Sequence, residues 1–184
     1  MEKKTDLRVI KTKRNIKATF LKLLSEKPLD KISITELAKA AEINKGTFYL
    51  HYVDIYELYN ELLSDFINEF ADKIDCYDLF ITEPETFVEN FIQVPRKQLH
   101  INPLRIFPPE NLSRNQMMPL LVTNAIKERI YATNQIPRSI ENDIKLEATL
   151  SGLTVVFHRR FSEEYDSTIA KTIGTMIRAL FKSH

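Results

Sequence analysis

The chain has 184 residues, of which 43% are hydrophobic and 28% charged, a balance that suits one or two compact domains with a buried core. A single cysteine, Cys76, excludes an internal disulfide framework and a cysteine-rich zinc site. No apolar run reaches membrane-spanning length and the first residues lack a signal-peptide core, so the composition predicts a cytoplasmic protein without a membrane segment. Long segments of helical apolar period, with only three glycines, predict an all-α fold.

Charge is distributed unevenly along the chain. Residues 1–51 contain 12 Lys and Arg against six Asp and Glu, whereas residues 52–184 contain 14 against 19. A basic first quarter is typical of a module that binds a polyanion, although basic residues on a solvated helix face would give the same counts. The motifs within the basic quarter have to decide between these two interpretations.

The first predicted element is a helix between Asp6 and Glu26. The apolar residues of this segment recur at helical spacing, at Ile16, Phe20, Leu23 and Leu24. Its N-terminal half carries the basic residues Arg8, Lys11, Lys13 and Arg14. Pro28 is expected to end the helix, because the residue before a proline is pushed out of the helical region.

The stretch from Ser33 to Tyr52 predicts two short helices joined by a tight turn. Ser33 and Glu36 have the spacing of a capping box, which would start the first helix, and Asn44 is placed to cap the second. Phe48 and Tyr52 fall one turn apart on the inner face of that second helix. The residues left outward can hydrogen-bond to phosphates or base edges: Lys45, Thr47, Tyr49 and His51. Two such helices form a helix-turn-helix, which makes DNA the first candidate ligand.

A long fourth helix should follow and lead into a second helical domain. Asp54 and Glu57 have capping-box spacing at its start, and it is expected to run to about Asp75. A second start signal at residues 82–85 opens a helix that Pro95 should kink or end, since proline cannot donate a hydrogen bond to the carbonyl four residues earlier. Short helical pieces are expected in the proline-rich span up to Pro119 (Pro95, Pro103, Pro108, Pro109 and Pro119), and longer helices over residues 119–133, 139–161 and from Asp166 onward.

The last two helices have the pattern of a dimer interface. Residues 150–157 are apolar on nearly all sides, more than one core face requires, and Gly152 and Gly174 permit close helix approach. Such a pair suits a homodimer formed through residues 139–161 and 167–182, and two subunits would place two recognition helices about 34–36 Å apart or a multiple of that. The alternative is that both helices lie at the centre of a monomer.

With these elements placed, the chain resembles the TetR family of bacterial transcriptional regulators. The resemblance is strongest over residues 8–62, and is carried by residues 43–52 (Ile-Asn-Lys-Gly-Thr-Phe-Tyr-Leu-His-Tyr) and by residues 37–41 (Leu-Ala-Lys-Ala-Ala). It implies a homodimer of all-helical subunits that binds a palindromic double-stranded DNA operator. The implied domains are residues 1–54, with the helix-turn-helix at about 33–52, and residues 55–184, which would dimerise and bind an unknown small-molecule effector.

The resemblance also implies roles for individual residues. Phosphate contacts are expected from Thr35 and, at the start of the recognition helix, from Asn44, Lys45 and Gly46. Base-edge contacts are expected from Thr47 and Leu50, and contacts to the DNA backbone from Tyr49 and His51. Phe48 is expected in the core. One departure is Ile55, which stands where many relatives have a lysine aimed at a phosphate, so that DNA binding should be weaker unless Arg8, Lys11 and the N-terminal arm compensate.

Polar residues within the apolar helical stretches of the second domain are candidates for orienting an effector, although a surface position or a satisfied core group explains each of them more simply. They are Asn90, Gln93, His100, Asn124 and His158, together with Gln98 and Gln116. The four histidines lack metal-ligand spacing and no glycine-rich phosphate loop exists, so we predict no metal, no cofactor and no enzymatic activity. The predicted function is a DNA-binding regulator, a repressor released by its effector. The alternative is a protein of this fold that acts mainly through protein partners, which Ile55 and Leu50 keep open.

Overall fold

The computed structural model describes residues 7–97, 117–159, 164 and 166–181. All regular structure in these ranges is helical, which confirms the predicted all-α class. The described helices are α1 (Leu7–Glu26), a short 3-10 helix (Leu29–Lys31), α2 (Ile34–Ala40), α3 (Lys45–Tyr49), α4 (Ile55–Lys73), α5 (Leu79–Thr82), α6 (Pro84–Lys97), α7 (Met117–Ala132), α8 (Ile140–Arg159) and α9 (Asp166–Phe181).

The chain divides into two compact units between Asp65 and Phe66, inside α4. The first unit therefore contains α1 to α3 and the first half of α4, and the second contains the rest of the described chain. The predicted functional division after residue 54 stays a prediction.

The first unit is held together by large apolar side chains from each of its helices. Ile16 and Phe20 of α1, Leu37 of α2, Phe48 of α3 and Leu58 of α4 are completely buried. The helical spacing assigned Ile16, Phe20 and Phe48 to the inner faces of their helices, so this part of the core follows from the sequence pattern.

The connections of the first unit agree only partly with the predicted caps. The Ser33 hydroxyl accepts a hydrogen bond from the Glu36 backbone N–H at 3.2 Å, as expected of an N-cap. The reciprocal half of the capping box does not form, because the Glu36 carboxylate pairs with Lys27 instead. Between α2 and α3 the chain turns through Glu42, which has a positive φ of 55°, a conformation that glycine or asparagine adopts more readily.

In the second unit, α6 packs along α9, α7 packs along α8, and α8 contacts α9. Edge-to-face aromatic pairs fill the space around α6, with ring centroids 5.1 Å apart for Phe70 and Phe91 and 5.2 Å apart for Phe80 and Phe87. On α9, Ile169, Ile173 and Ile177 are buried, whereas Met176 and Leu180 are 47% and 37% exposed.

Pro95 does not end α6, so that part of the prediction was wrong. The helix continues to Lys97, and Pro95 lies in its last turn with a buried ring. A proline at this position removes the hydrogen bond to the Phe91 carbonyl, and burial of its ring offsets that loss. The predicted helical pieces between residues 98 and 116 lie outside the described residues.

Gly174 is a point of close approach between α9 and α6. A Cβ atom at this position would lie 2.8 Å from Cγ and Cδ of Glu85, closer than side-chain carbons approach one another. Arg178, one turn further along α9, forms an ion pair with the same Glu85 carboxylate. Gly174 therefore serves packing within the chain, whereas a Cβ at Gly152 would meet open space.

Candidate functional site

The helix α3 is anchored by two buried aromatic side chains. Phe48 is completely buried and Tyr52 is 2% exposed, with ring centroids 5.6 Å apart. The Lys13 ammonium of α1 lies 5.0 Å from the centre of the Tyr52 ring, a distance at which a cation is attracted to an aromatic face. Burial, together with the nearby Glu61 carboxylate, raises the pKa of Tyr52 above its usual range. The tyrosine is therefore a neutral structural residue.

The opposite side of α3 is open to solvent. Lys45 and Gly46 are exposed, Thr47 and His51 are half-buried, and Tyr49 and Leu50 are 56% and 81% exposed. A Cβ atom at Gly46 would meet nothing within 4 Å, so a ligand can approach the backbone closely there. Thr35 is likewise exposed, in the first turn of α2. Most of the predicted DNA-contacting residues thus occupy one short segment around a fixed anchor.

Asn44 has the backbone geometry of an N-cap, but its side chain does not cap α3. Its φ and ψ are −75° and 150°, and no hydrogen bond from its side chain to the helix start is present. The prediction of a side-chain cap was wrong, and the main chain supplies the turn instead, with Thr47 N–H donating to the Asn44 carbonyl at 3.0 Å. The exposed Asn44 amide is consequently available to a ligand.

Two carboxylates at the start of α4 accept hydrogen bonds from backbone N–H groups of the same turn. Asp54 accepts from the Glu57 backbone N–H at 2.8 Å, and Glu57 accepts from the Val53 backbone N–H at 2.5 Å. Ile55, at the position where the resembling family often has lysine, is only 7% exposed and belongs to the core. This turn therefore offers a phosphate neither a cation nor these two N–H groups.

Sequence reasoning overlooked the apolar surface beside this turn. Val53 and Tyr56 are 78% and 57% exposed, next to the exposed Leu50. The helical period could have predicted that Ile55 is buried and that Val53 and Tyr56 are exposed, since Ile55 lies three residues before Leu58 and shares its buried face.

Two of the basic residues of α1 are committed to the fold. Lys13 and Lys17 donate to the Glu61 carboxylate at 2.7 and 2.6 Å, and Lys17 also pairs with Asp65. Burial opposes ionisation of Glu61, but the hydrogen bonds from the two lysines outweigh it and lower the pKa of this carboxyl. Lys11 and Arg14, by contrast, are exposed and can meet a polyanion.

The predicted effector residues are not brought together as a group. Asn124 is exposed on α7, and His100 lies outside the described residues, as does the His158 side chain. Gln98 and Gln116 also lie outside the described residues. Asn90 and Gln93, three residues apart on α6, form the remaining pair.

The amides of Asn90 and Gln93 are half satisfied. Asn90 Nδ2 donates to Asp75 Oδ1 at 3.5 Å, and Gln93 Nε2 donates to Asp166 Oδ2 at 3.0 Å. Their carbonyl oxygens are buried and have no hydrogen-bond partner among the described residues. A buried acceptor left without a donor costs roughly 1–3 kcal/mol, so this pair needs an explanation.

The described residues show no group of three or more His, Cys, Asp or Glu side chains that could hold a metal ion. Burial, with help from the Asp75 and Asp78 carboxylates, raises the pKa of the Cys76 thiol to about 11. The thiol is therefore protonated at neutral pH and is a poor nucleophile.

Comparison with known proteins identifies the helix-turn-helix segment. Residues 17–62 match the model of the bacterial regulatory proteins of the TetR family. This segment contains α2, α3, the buried anchors Phe48 and Tyr52, and the first turns of α4. Residues 17–62 are similar to the N-terminal segment of TetR-family proteins. The resemblance that the motif at residues 43–52 predicted is therefore confirmed.

The TetR-like fold extends over nearly the whole chain. The crystal structure of RolR in complex with the ligand resorcinol is 16% identical, and the match covers 94% of each chain with a TM-score of 0.60. The structure of RolR without ligand is 15% identical and covers 91% of this chain and 95% of RolR, with a TM-score of 0.55. No curated protein matches the chain by sequence. At these identities the two RolR structures establish the fold alone.

The chain therefore has the helix-turn-helix in its first unit and a second unit whose regular structure is helical in the part that the structure describes. Within the described ranges, none of its helices is long and apolar enough to cross a membrane.

Proposed function

We propose that the protein is a transcriptional regulator that binds double-stranded DNA through α3, and that it is a repressor released from a palindromic operator by a small-molecule effector. The arrangement of α3 carries the proposal, because Phe48 is completely buried while Lys45, Tyr49 and Leu50 beside it are exposed. The match of residues 17–62 to the TetR-family model supports it.

The exposed groups suit a duplex. Lys45 and Asn44 can donate to phosphate oxygens and Tyr49 can donate through its hydroxyl, which would position the protein on the backbone. Leu50 has no polar group, so its contact with a base would be apolar, and the thymine methyl group is the apolar feature of the major-groove edge. Lys11 and Arg14 add positive charge in the same unit.

The decisive experiment is the selection of bound duplexes from a library of genomic fragments, followed by titration of a selected duplex from about 50 to 200 mM salt. The wild-type protein should bind selectively, with an affinity that falls steeply with salt. The double substitution Lys45→Ala and Tyr49→Ala should weaken binding at least tenfold, and loss of the lysine contact should flatten the salt slope by about one unit.

Lys73→Ala is the matched control, because Lys73 is an exposed lysine of α4 in the other unit and outside the proposed dimer helices. Its binding should equal that of the wild type. Weak, unselective binding that the double variant retains would contradict the proposal.

A homodimer through α8 and α9 is part of the proposal. Ile140 and Ile144 of α8 are 81% and 61% exposed, and Met176 and Leu180 of α9 form a second exposed apolar pair. Apolar stripes on two helices in contact suit a self-complementary two-fold interface. Ile144→Glu should shift the protein to monomer in sedimentation velocity and weaken operator binding, whereas Asn124→Glu, on the exposed face of α7, should change neither.

An effector is supported by the fold, since the similar RolR structure holds resorcinol. Within this chain, the buried and unpartnered oxygens of Asn90 and Gln93 are the polar groups of the second unit that a bound molecule would best satisfy.

A regulator that works through a protein partner is the second candidate. Two observations favour it. The backbone N–H groups at the start of α4 are capped by carboxylates and Ile55 is buried, so this turn offers no phosphate contact. The apolar side chains of Leu50, Val53 and Tyr56 are exposed. The DNA selection above separates the two candidates, because a protein that lacks selective DNA binding but keeps this surface would require a protein ligand.

A further inference from the structure

We propose that the middle of α6 binds a small organic cation that carries N–H donors, such as a protonated diamine or a guanidinium compound. That this cation is the effector rests on the proposed function. That the cation binds at this position does not, because binding can be measured without DNA.

The orientation of two side-chain amides carries the argument. A carboxylate can only accept hydrogen bonds, so Asn90 must turn its NH2 group toward Asp75, and Gln93 must turn its NH2 group toward Asp166. This orientation leaves Asn90 Oδ1 and Gln93 Oε1 buried, without a partner among the described residues. Each NH2 group therefore has an acceptor, whereas each amide oxygen is open.

The backbone of α6 adds a third acceptor in the same turn. Pro95 has no N–H, so the carbonyl of Phe91 lacks the helical donor that it would otherwise have. The helix cannot easily turn these groups away, because the Phe91 ring packs edge to face on Phe70 and Phe157, at centroid distances of 5.1 and 6.2 Å. Residues 90–93 thus present several acceptors from a fixed position.

The neighbouring charges select a cation. Asp75 and Asp166 flank the two amides, and the Asp75 carboxylate has no ion pair with a basic side chain in the described part of the chain. Side chains three residues apart on a helix have Cβ atoms about 5–6 Å apart, so one small molecule with two donor groups can reach both oxygens. A ligand with N–H donors would satisfy the two open amide oxygens, and the negative charge beside them favours a ligand that is also positively charged.

A bare metal ion fits this arrangement less well. The described residues contain no group of three or more His, Cys, Asp or Glu side chains that could hold a metal ion. A dication such as Mg²⁺ prefers carboxylates and water in a regular octahedral arrangement, whereas the open acceptors of α6 are neutral amide oxygens.

The test compares two probes of equal charge. Isothermal titration of the full chain with 1,4-diaminobutane should give binding at least tenfold tighter than with its fully methylated bis-quaternary analogue, which keeps both charges but has no N–H donor. Equal binding of the two probes, or no binding of the diamine at millimolar concentration, would overturn the proposal. Tighter binding of magnesium chloride than of the diamine would overturn it as well.

Single variants locate the site. Asn90→Leu and Gln93→Leu should each weaken diamine binding at least tenfold, while Asn124→Leu, which removes an exposed amide from α7, should bind as the wild type does. Far-ultraviolet circular dichroism checks that each variant is folded. Variants that are folded and bind the diamine normally would contradict the site.

A final arm separates the site from the function. With a selected duplex, the diamine should release wild-type protein from DNA but not the Gln93→Leu variant. Diamine binding without DNA release supports the site and contradicts the effector role, whereas a protein that binds no DNA at all still reports on the site through the titration.

Discussion

Lys13 of α1 and Glu61 of α4 form an ion pair of 2.7 Å, and both side chains are 33% exposed. Lys17 adds a second contact to the same carboxylate at 2.6 Å. Partly exposed pairs of this kind contribute roughly 0.2–1 kcal/mol each, so the cluster fixes α1 against α4 without dominating the stability of the unit. Its more important consequence is that neither lysine is free to neutralise a phosphate.

Glu61→Gln should reduce stability at neutral pH by about 1 kcal/mol, because it weakens two ion pairs at once. The pKa of Glu61 is lowered in the folded protein from its ordinary value of 4.5, so its contribution is present above that value and is lost as the pH falls through the folded pKa. Urea unfolding at pH 7 and at pH 3 measures the effect: the difference between wild type and variant should be largest at pH 7 and small at pH 3.

Glu89→Gln is the control for this prediction, since Glu89 is an exposed carboxylate of α6. It should change stability by less than about 0.5 kcal/mol at either pH. A difference between Glu61→Gln and wild type that persists at pH 3 would contradict the ion-pair explanation.

Gly174→Ala should stabilise the protein by less than the roughly 1 kcal/mol by which alanine exceeds glycine in a helix. The added methyl group would overlap with Glu85, so this side chain must move and its ion pair with Arg178, a partly exposed pair that contributes roughly 0.2–1 kcal/mol, is weakened. In a Glu85→Ala background the overlap is gone, so the same substitution should give the full gain. Urea unfolding of the four variants of this cycle measures the difference, and an equal effect in both backgrounds would contradict the close approach.

Glu42→Gly should raise the stability of the helix-turn-helix. Glu42 has a φ of 55°, which costs an ordinary L-residue roughly 1–2 kcal/mol and glycine much less, so a net gain of about 0.5–1 kcal/mol is expected after the extra entropy of glycine is subtracted. Asn134, with a φ of 59°, provides the comparison. Asparagine tolerates this conformation, so Asn134→Gly should gain less in thermal unfolding.

The sequence predicted the helices and their buried faces well because both depend on local periodicity. The fully buried Ile16 and Phe48 lie where the spacing placed them, and α4, α8 and α9 have nearly the predicted bounds. The failures come from competition between partners. The Glu36 carboxylate pairs with Lys27 rather than with the Ser33 backbone N–H. At the start of α3, the backbone carbonyl of Asn44, and not its side chain, accepts the hydrogen bond from Thr47 N–H. Neither choice of partner can be predicted from the spacing of two residues.

The candidate sites divide in the same way. The exposed segment around α3 could be predicted because a short motif contains both its anchors and its outward residues. The half-satisfied amides of Asn90 and Gln93 could not, because their partners Asp75 and Asp166 are 15 and 73 residues away in sequence. The buried position of Ile55 was also not predicted, because the comparison with the family treated this position only as the site of a missing lysine.

Ile55→Lys should not restore a phosphate contact. The side chain is 7% exposed, so lysine would remove apolar packing and place a charge in the core, at a cost of about 2 kcal/mol in stability. Tyr56→Lys is the informative comparison, because Tyr56 is 57% exposed and the adjacent residue. It should keep the stability of the wild type and steepen the salt dependence of DNA binding by about one unit. If Ile55→Lys is as stable as the wild type and binds DNA more tightly, the core assignment of this position is wrong.

Leu50 should make its contact with DNA through a thymine methyl group. Its side chain is 81% exposed and apolar, and the methyl group is the only apolar feature that a base pair presents in the major groove. Replacing single thymines by uracil in a selected duplex removes one methyl group and leaves the base pairing intact, so at one position in each half-site the affinity should fall by about threefold to tenfold, the equivalent of roughly 1 kcal/mol. In the Leu50→Ala variant the same replacement should have no effect. Val53→Ala, an exposed apolar control three residues along the chain, should retain the uracil sensitivity of the wild type, and loss of that sensitivity in Val53→Ala alone would assign the contact to the start of α4 instead.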